Sequence, residues 1–425
     1  MTRDFVTIIV IGNKSLIGGN KMSGRDYLHI WYETQLVAAL FFLLVISGWE
    51  MYVGIHQGYL MIFLGVITAI GLIVASLPAV PTWLAATNRW LQAIFQPLAL
   101  LMVWGTVTRQ IIVRLQLPAR GVVVLALIYY LIMFAPLASE IGGAFKWGLS
   151  RLCYSFYWFL LIILGMTISL PVKFAGPPIM QTIVSSHVVG ALAFLITATT
   201  LMRAWELAWP GLLPKFGWGW SWLTFAFLVA VDLVVTGVNI GGVSLTTLRQ
   251  GLTSSSNFLV ALCAGIGEET LCRFVILAVL LVALKNTRWP LGGPLAVSAL
   301  LFGFAHLLNA AGQPLADTVL QITGTVGFGL FYLVVFLYTG QLWLTILMHF
   351  LFDWLAFAAD GTGGVTPLTG TPTTSSWVLT LVELVFFILL AVWMMHGKRR
   401  TVLERHAQRL MGSDQSFGYR LDFRF

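Results

Sequence analysis

The chain is 425 residues long, 59% hydrophobic and only 9% charged, with a mean hydropathy of +0.90. A soluble domain carries about 25% charged residues, so this composition excludes a water-soluble globular protein and sets the chain in a lipid bilayer. The net charge of +8 gathers at the two ends, where membrane proteins carry their topology signals, and this argues against a nucleic-acid partner.

The opening stretch, "MTRDFVTIIVIGNKSLIGGNK", holds one short apolar run from Phe5 to Ile11. It lacks a small-residue cleavage site after a full-length apolar region, so no cleaved signal peptide is expected and the first span should act as an uncleaved anchor. Apolar segments of spanning length, about 20 residues, then recur near 35–55, 58–78, 90–108, 121–139, 152–171, 180–201, 219–240, 257–284, 292–309, 318–338, 342–359 and 376–396. They lack the two-residue alternation of a β-barrel, and lipid does not tolerate irregular backbone, so they should be helices. The expected fold is all-α, a polytopic transmembrane bundle of about twelve spans. Arg3, Lys14, Lys21 and Arg25 precede the first span, and Lys398, Arg399, Arg400, Arg405 and Arg409 follow the last. An even count with basic ends puts both termini on the cytoplasmic side. The tail "HGKRRTVLERHAQRLMG" is expected to form a helix on anionic headgroups. Cys153, Cys263 and Cys272 all lie in spans, which excludes a disulfide framework and a cysteine zinc motif.

Ionisable side chains within spans are expensive and mark functional sites by default. In the first half of the chain His187 and Asp232 stand nearly alone, as expected of side chains that hydrogen-bond a neighbouring helix. The C-terminal third differs, with Glu268, Glu269, Arg273, His306, His349 and Asp353 on three neighbouring spans. Glu269 and Arg273 are four apart in the order that favours an ion pair. Glu268 is turned about 100° away from Glu269 and is free for another task. In "HFLFDW", His349 and Asp353 share a face, so the carboxylate can orient the imidazole. A glutamate with two histidines can activate water and stabilise an oxyanion, and it could equally ligate a divalent metal. A purely structural network that locks the helices together is the alternative. The Gly-, Thr- and Pro-rich stretch 360–376 that follows reads as a flexible connection.

Three short patterns carry a resemblance. "EETLCR" (268–273), "FGFAH" (302–306) and "HFLFD" (349–353), with "GQLWLTILMH" leading into the last, resemble the three motifs of the CPBP or Abi family. That family includes the Ras-converting CAAX endopeptidases and bacteriocin-processing or immunity proteins. The resemblance covers about 255–360 and divides the chain into an N-terminal segment (1–34), spans of unassigned role (35–254), a CPBP-like catalytic core (255–360), a loop with the last span (361–396) and a basic tail (397–425). It implies an intramembrane glutamate endopeptidase without cofactor or metal, acting on a membrane-associated or lipidated peptide or protein within the lipid bilayer. Glu268 would be the general base, and His306 would hold and polarise the water. His349 and the residue four further on would form the oxyanion site. The closest CAAX endopeptidases carry Asn at that last position. Asp353 cannot donate a hydrogen bond unless protonated, so its expected task is to orient His349. The twelve-span topology opens this cluster to the non-cytoplasmic side, whereas the family is thought to open to the cytosol, and the two expectations conflict. A non-catalytic scaffold for immunity or maturation is the alternative, disfavoured by the intact Glu268, His306 and His349. A secondary transporter, which usually shows paired halves with broken helices, is another. The expected location is a bacterial cell membrane.

Overall fold

The computed structural model describes residues 24–54, 56–211, 221–360 and 372–412. The expectations for the Phe5 to Ile11 stretch, for most of the 360–376 connection and for the last residues of the tail lie outside them.

The described chain is helical almost throughout. Helices α1 (Gly24–Tyr52), α2 (Gln57–Ser76), α3 (Thr82–Arg114) and α4 (Ala119–Ile132) lead through short α5 (Ala135–Glu140) to α6 (Gly148–Ser169). Next come α7 (Pro178–Ser185), α8 (Val188–Ala204), α9 (Trp222–Asn239), short α10 (Leu245–Leu252) and α11 (Ser255–Glu269). A π-helical turn, Thr270–Ile276, joins α11 to α12 (Leu277–Leu284). After these lie α13 (Gly292–Ala305), a 3-10 turn (His306–Ala311), α14 (Leu315–Thr339), α15 (Leu342–Asp360), α16 (Thr374–Met394) and α17 (Gly397–Leu410). Among the described residues ten helical runs are long and apolar enough to cross a membrane, or eleven if one bent pair counts as a span. The protein is thus a polytopic helical bundle.

Two of the twelve expected spans are not among these ten. The segment at 180–201 is α7 and α8, bent by 46°. His187 sits in the break with φ of 59°, and its Nδ1–H donates to the Ile163 carbonyl at 2.8 Å. The segment at 257–284 is interrupted by the π turn directly after Glu269. Hydropathy counts apolar residues and cannot register either interruption.

Lipid tails are as apolar as leucine, so helices in a bilayer associate through close packing and hydrogen bonds more than through water exclusion. Both devices are visible. In the N-terminal part Asn88 donates to Gly71 O, Gln92 to Ile67 O, Gln96 to Gln92 and Tyr32 to Gln96, at 2.9 to 3.1 Å. This amide ladder ties α3 to α1 and α2. In the C-terminal part, a Cβ at Gly265 would come within 2.9 Å of the Ile346 carbonyl oxygen, so α11 and α15 pack backbone against backbone. Asn257 fixes their antiparallel register by donating to Gly251 O and Phe357 O. The outer face of α16 carries Val378, Val382, Val385 and Leu389, exposed toward where lipid would lie.

The basic tail is helical, but its apolar face does not lie in the bilayer. Val402, Leu403, His406, Ala407 and Leu410 of α17 are buried against the protein, with Lys398, Arg400 and Arg405 outward. The docking point is the turn after α14, where Gly340 adopts φ of 68° and any Cβ would crowd the His406 ring. His406 Nδ1–H donates to the Leu337 carbonyl at 2.6 Å. Burial, with Arg409 and Arg405 beside it, pushes the His406 pKa down from 6.5 to about 4. The docked state therefore binds fewer protons than the released one. Its stabilisation is complete above about 6.5 and is lost as the pH falls toward 4, a difference of about 3 kcal/mol. Thermal melts of the purified protein should shift downward between about pH 7 and about pH 4.5, and His406→Asn should flatten that dependence.

Candidate active site

The close approach at Gly265 sets the site. One turn further along α11 come Glu268 and Glu269. On α15 His349 lies between Ile346 and Phe350, the two residues that meet Gly265, so the two helices deliver these side chains to each other. His349 Nδ1 lies 2.8 Å from Glu269 Oε1. A carboxylate only accepts, so the Nδ1 proton belongs to this bond and Nε2 is left facing Glu268 and Asp353. Asp353 Oδ2 is 3.4 Å and Glu268 Oε2 3.8 Å from that nitrogen.

The second oxygen of Glu269 faces Arg273, with Nε 3.2 Å from Oε2, and both side chains have no exposure at all. Arg273 itself lies within the π turn. There the Cys272 carbonyl accepts from Leu277 N–H, five residues on, and also from Ser298 Oγ of α13 at 3.1 Å. The Arg273 guanidinium is held between aromatic faces, with its carbon 4.4 Å from the Phe302 ring centroid and 5.5 Å from that of Tyr332. Cation–π contacts of this kind offset part of the cost of a buried charge. Apart from Glu269 and the neighbouring Cys272 thiol, the guanidinium nitrogens have no polar partner among the described residues.

His306 ends α13 and opens the 3-10 turn. Its Nδ1–H donates to Phe302 O at 3.0 Å, which leaves Nε2 as a lone-pair acceptor. The Phe302 ring bridges the two histidines, 5.2 Å from His306 and 6.1 Å from His349, edge-on to both. His306 and Glu268 are close enough for their charges to interact. All six clustered residues named from the sequence thus surround one centre.

The two glutamates differ sharply in surroundings. Glu269 is fully buried and serves two partners, Arg273 and His349. Glu268 keeps 27% of its side-chain surface open. Tyr332 was not singled out from the sequence. Its ring lies 5.7 Å from His349 at 30°, and its hydroxyl donates to Asp232 Oδ1 at 3.1 Å. One aromatic in a chain that is 13% aromatic carries no signal until its neighbours are known. Among the described residues no three of His, Cys, Asp and Glu are arranged to hold a metal ion.

Ionisable side chains from α11, α15 and the two turns are thus gathered at one centre among spanning helices. Residues 252–355 match the family model of type II CAAX prenyl endopeptidase Rce1-like proteins. The match covers this segment alone, and it supports the likeness to CPBP and CAAX endopeptidases read from the three motifs. No curated protein and no solved structure matches the chain.

Proposed function

We propose that the protein hydrolyses a peptide bond of a membrane-associated or lipidated peptide or protein, using water activated by Glu268. The observation that carries this reading is the contrast between the adjacent glutamates. One is spent on Arg273 and His349, and the other is part-exposed with His349 and His306 near it.

In this mechanism Glu268 takes a proton from water held against His306 Nε2, and the water oxygen attacks the scissile carbonyl carbon. The carbonyl oxygen becomes an oxyanion facing Nε2–H of a His349 that carries both ring protons, a cation flanked by Glu269 and Asp353. A preorganised donor of this kind contributes most to such reactions. Collapse breaks the carbon–nitrogen bond, and Glu268 returns its proton to the departing amine. Glu269 holds the imidazole through Nδ1. Asp353, beside Nε2, keeps that proton pointed into the site. As an ionised carboxylate it has no proton of its own for the oxyanion.

The test is substrate trapping. Glu268→Gln expressed in native membranes should accumulate an uncleaved membrane-associated protein that peptide mass spectrometry can identify. If nothing accumulates relative to native protein, the reading fails. The mechanism also gives metal no task. Cleavage by purified protein should stay within about twofold after treatment with a strong chelator, and loss restored by added zinc would place the chemistry on a metal-bound water instead.

A further inference from the structure

The match to the endopeptidase family begins at residue 252, yet a carboxylate from the span before it reaches the centre. Asp232 lies midway along α9, an apolar span, and is 7% exposed. A carboxylate at that depth costs several kcal/mol, and joining two helices needs no more than a threonine. Its hydrogen bond goes to Tyr332 Oη of α14, and the Tyr332 ring is itself 1% exposed.

We propose that Asp232 and Tyr332 form a positioning pair for the His349 imidazole, so that α9 is part of the working site. This rests on the assignment of His349 to the oxyanion. Glu269 fixes the imidazole in its own plane through Nδ1, but a single in-plane bond leaves the ring free to rock about that bond. The Tyr332 face, 5.7 Å away and tilted by only 30°, blocks rocking on one side, and Phe302 meets the imidazole edge-on. The same Tyr332 ring backs Arg273, which holds Glu269. A tyrosine ring without its tether can slide along the helix groove, and Asp232 is the tether. Asp232 touches no reacting atom in this scheme and acts only through Tyr332.

Three variants test the pair, assayed on a fluorogenic farnesylated CAAX peptide in proteoliposomes with rates normalised to folded protein. Asp232→Ala and Tyr332→Phe should each lower kcat about 10- to 100-fold, the range expected for small misplacements of a catalytic group, with KM nearly unchanged. Asp232→Asn keeps an acceptor for the phenol and should restore most of the rate. The double variant Asp232→Ala/Tyr332→Phe should be no slower than the slower single one. A purely structural role would lower the melting temperature and leave kcat per folded molecule intact, and that result overturns the proposal. So does an Asn variant as slow as the Ala variant. His349→Ala in the same assay separates the two layers. If it cleaves like native protein, the oxyanion assignment fails. If it is impaired while Asp232→Ala and Tyr332→Phe are not, the positioning pair alone fails.

Discussion

Glu268→Gln should yield a protein that folds, purifies and melts like the native one while cleaving about 10²- to 10⁴-fold more slowly, the usual contribution of a positioned general base. Glutamine keeps the volume and the hydrogen-bonding capacity of the side chain, and Glu268 holds no close ion pair, its nearest being the 3.8 Å approach to His349. Little of the architecture therefore depends on its charge. A stable variant with native cleavage, measured on purified protein in liposomes, would remove Glu268 from the mechanism.

Glu269→Gln should fail in the opposite order, losing stability first. The substitution leaves the fully buried Arg273 without its counter-charge, and breaking a buried pair by removing one partner costs about 3–5 kcal/mol. The aromatic faces of Phe302 and Tyr332 offset part of this, and hydrogen bonds between membrane helices often prove weaker when measured than expected. The lower end of the range is therefore the more reasonable expectation. Expression level and melting temperature should both fall. Unlike a partner concerned with packing alone, Glu269 also holds His349 Nδ1 at 2.8 Å. Cleavage per folded molecule should accordingly drop as well, with the loss in kcat more than in KM. A variant that melts normally and is inactive, beside a Glu268→Gln protein that still cleaves, would exchange the two carboxylates in the mechanism.

Much of the bundle was legible because lipid leaves the backbone few choices. A 20-residue apolar run in a bilayer must satisfy its own peptide groups, so α1, α2, α14 and α16 could be read from hydropathy alone. The clustered polar residues were legible for a related reason. Glu268, Arg273 or His349 is conspicuous in an apolar run because the surroundings make it expensive. What escaped was whatever depends on which helices meet. Asp232 looked solitary because its partner, Tyr332, lies 100 residues further along the chain. The two partners of Glu269 include one, Arg273, at helical spacing and one, His349, on another span, and only the first could be anticipated. The tail helix showed its basic face in the sequence, but its apolar face could have met lipid or protein equally well. Its docking on the Gly340 turn depends on a φ that no hydropathy profile records.

The π turn after Glu269 makes the chain sensitive to length at one place. Such a turn holds one residue more than an α-helical turn, so deleting a single residue between Thr270 and Ile276 would let α11 and α12 fuse into an unbroken α-helix. By local criteria the backbone would improve. The flanking helices would keep nearly their present phase, but inside the turn Arg273 or its neighbours would shift by one position, away from Phe302 and Tyr332, and Cys272 would lose Ser298. In α16, a regular helix with no residue in excess, one deletion would instead turn Phe387, Leu390, Ala391 and Met394 out of the core by about 100°. A deletion within these seven residues should therefore leave the bundle folded and abolish the site, because the active geometry depends on the one residue that the turn holds in excess.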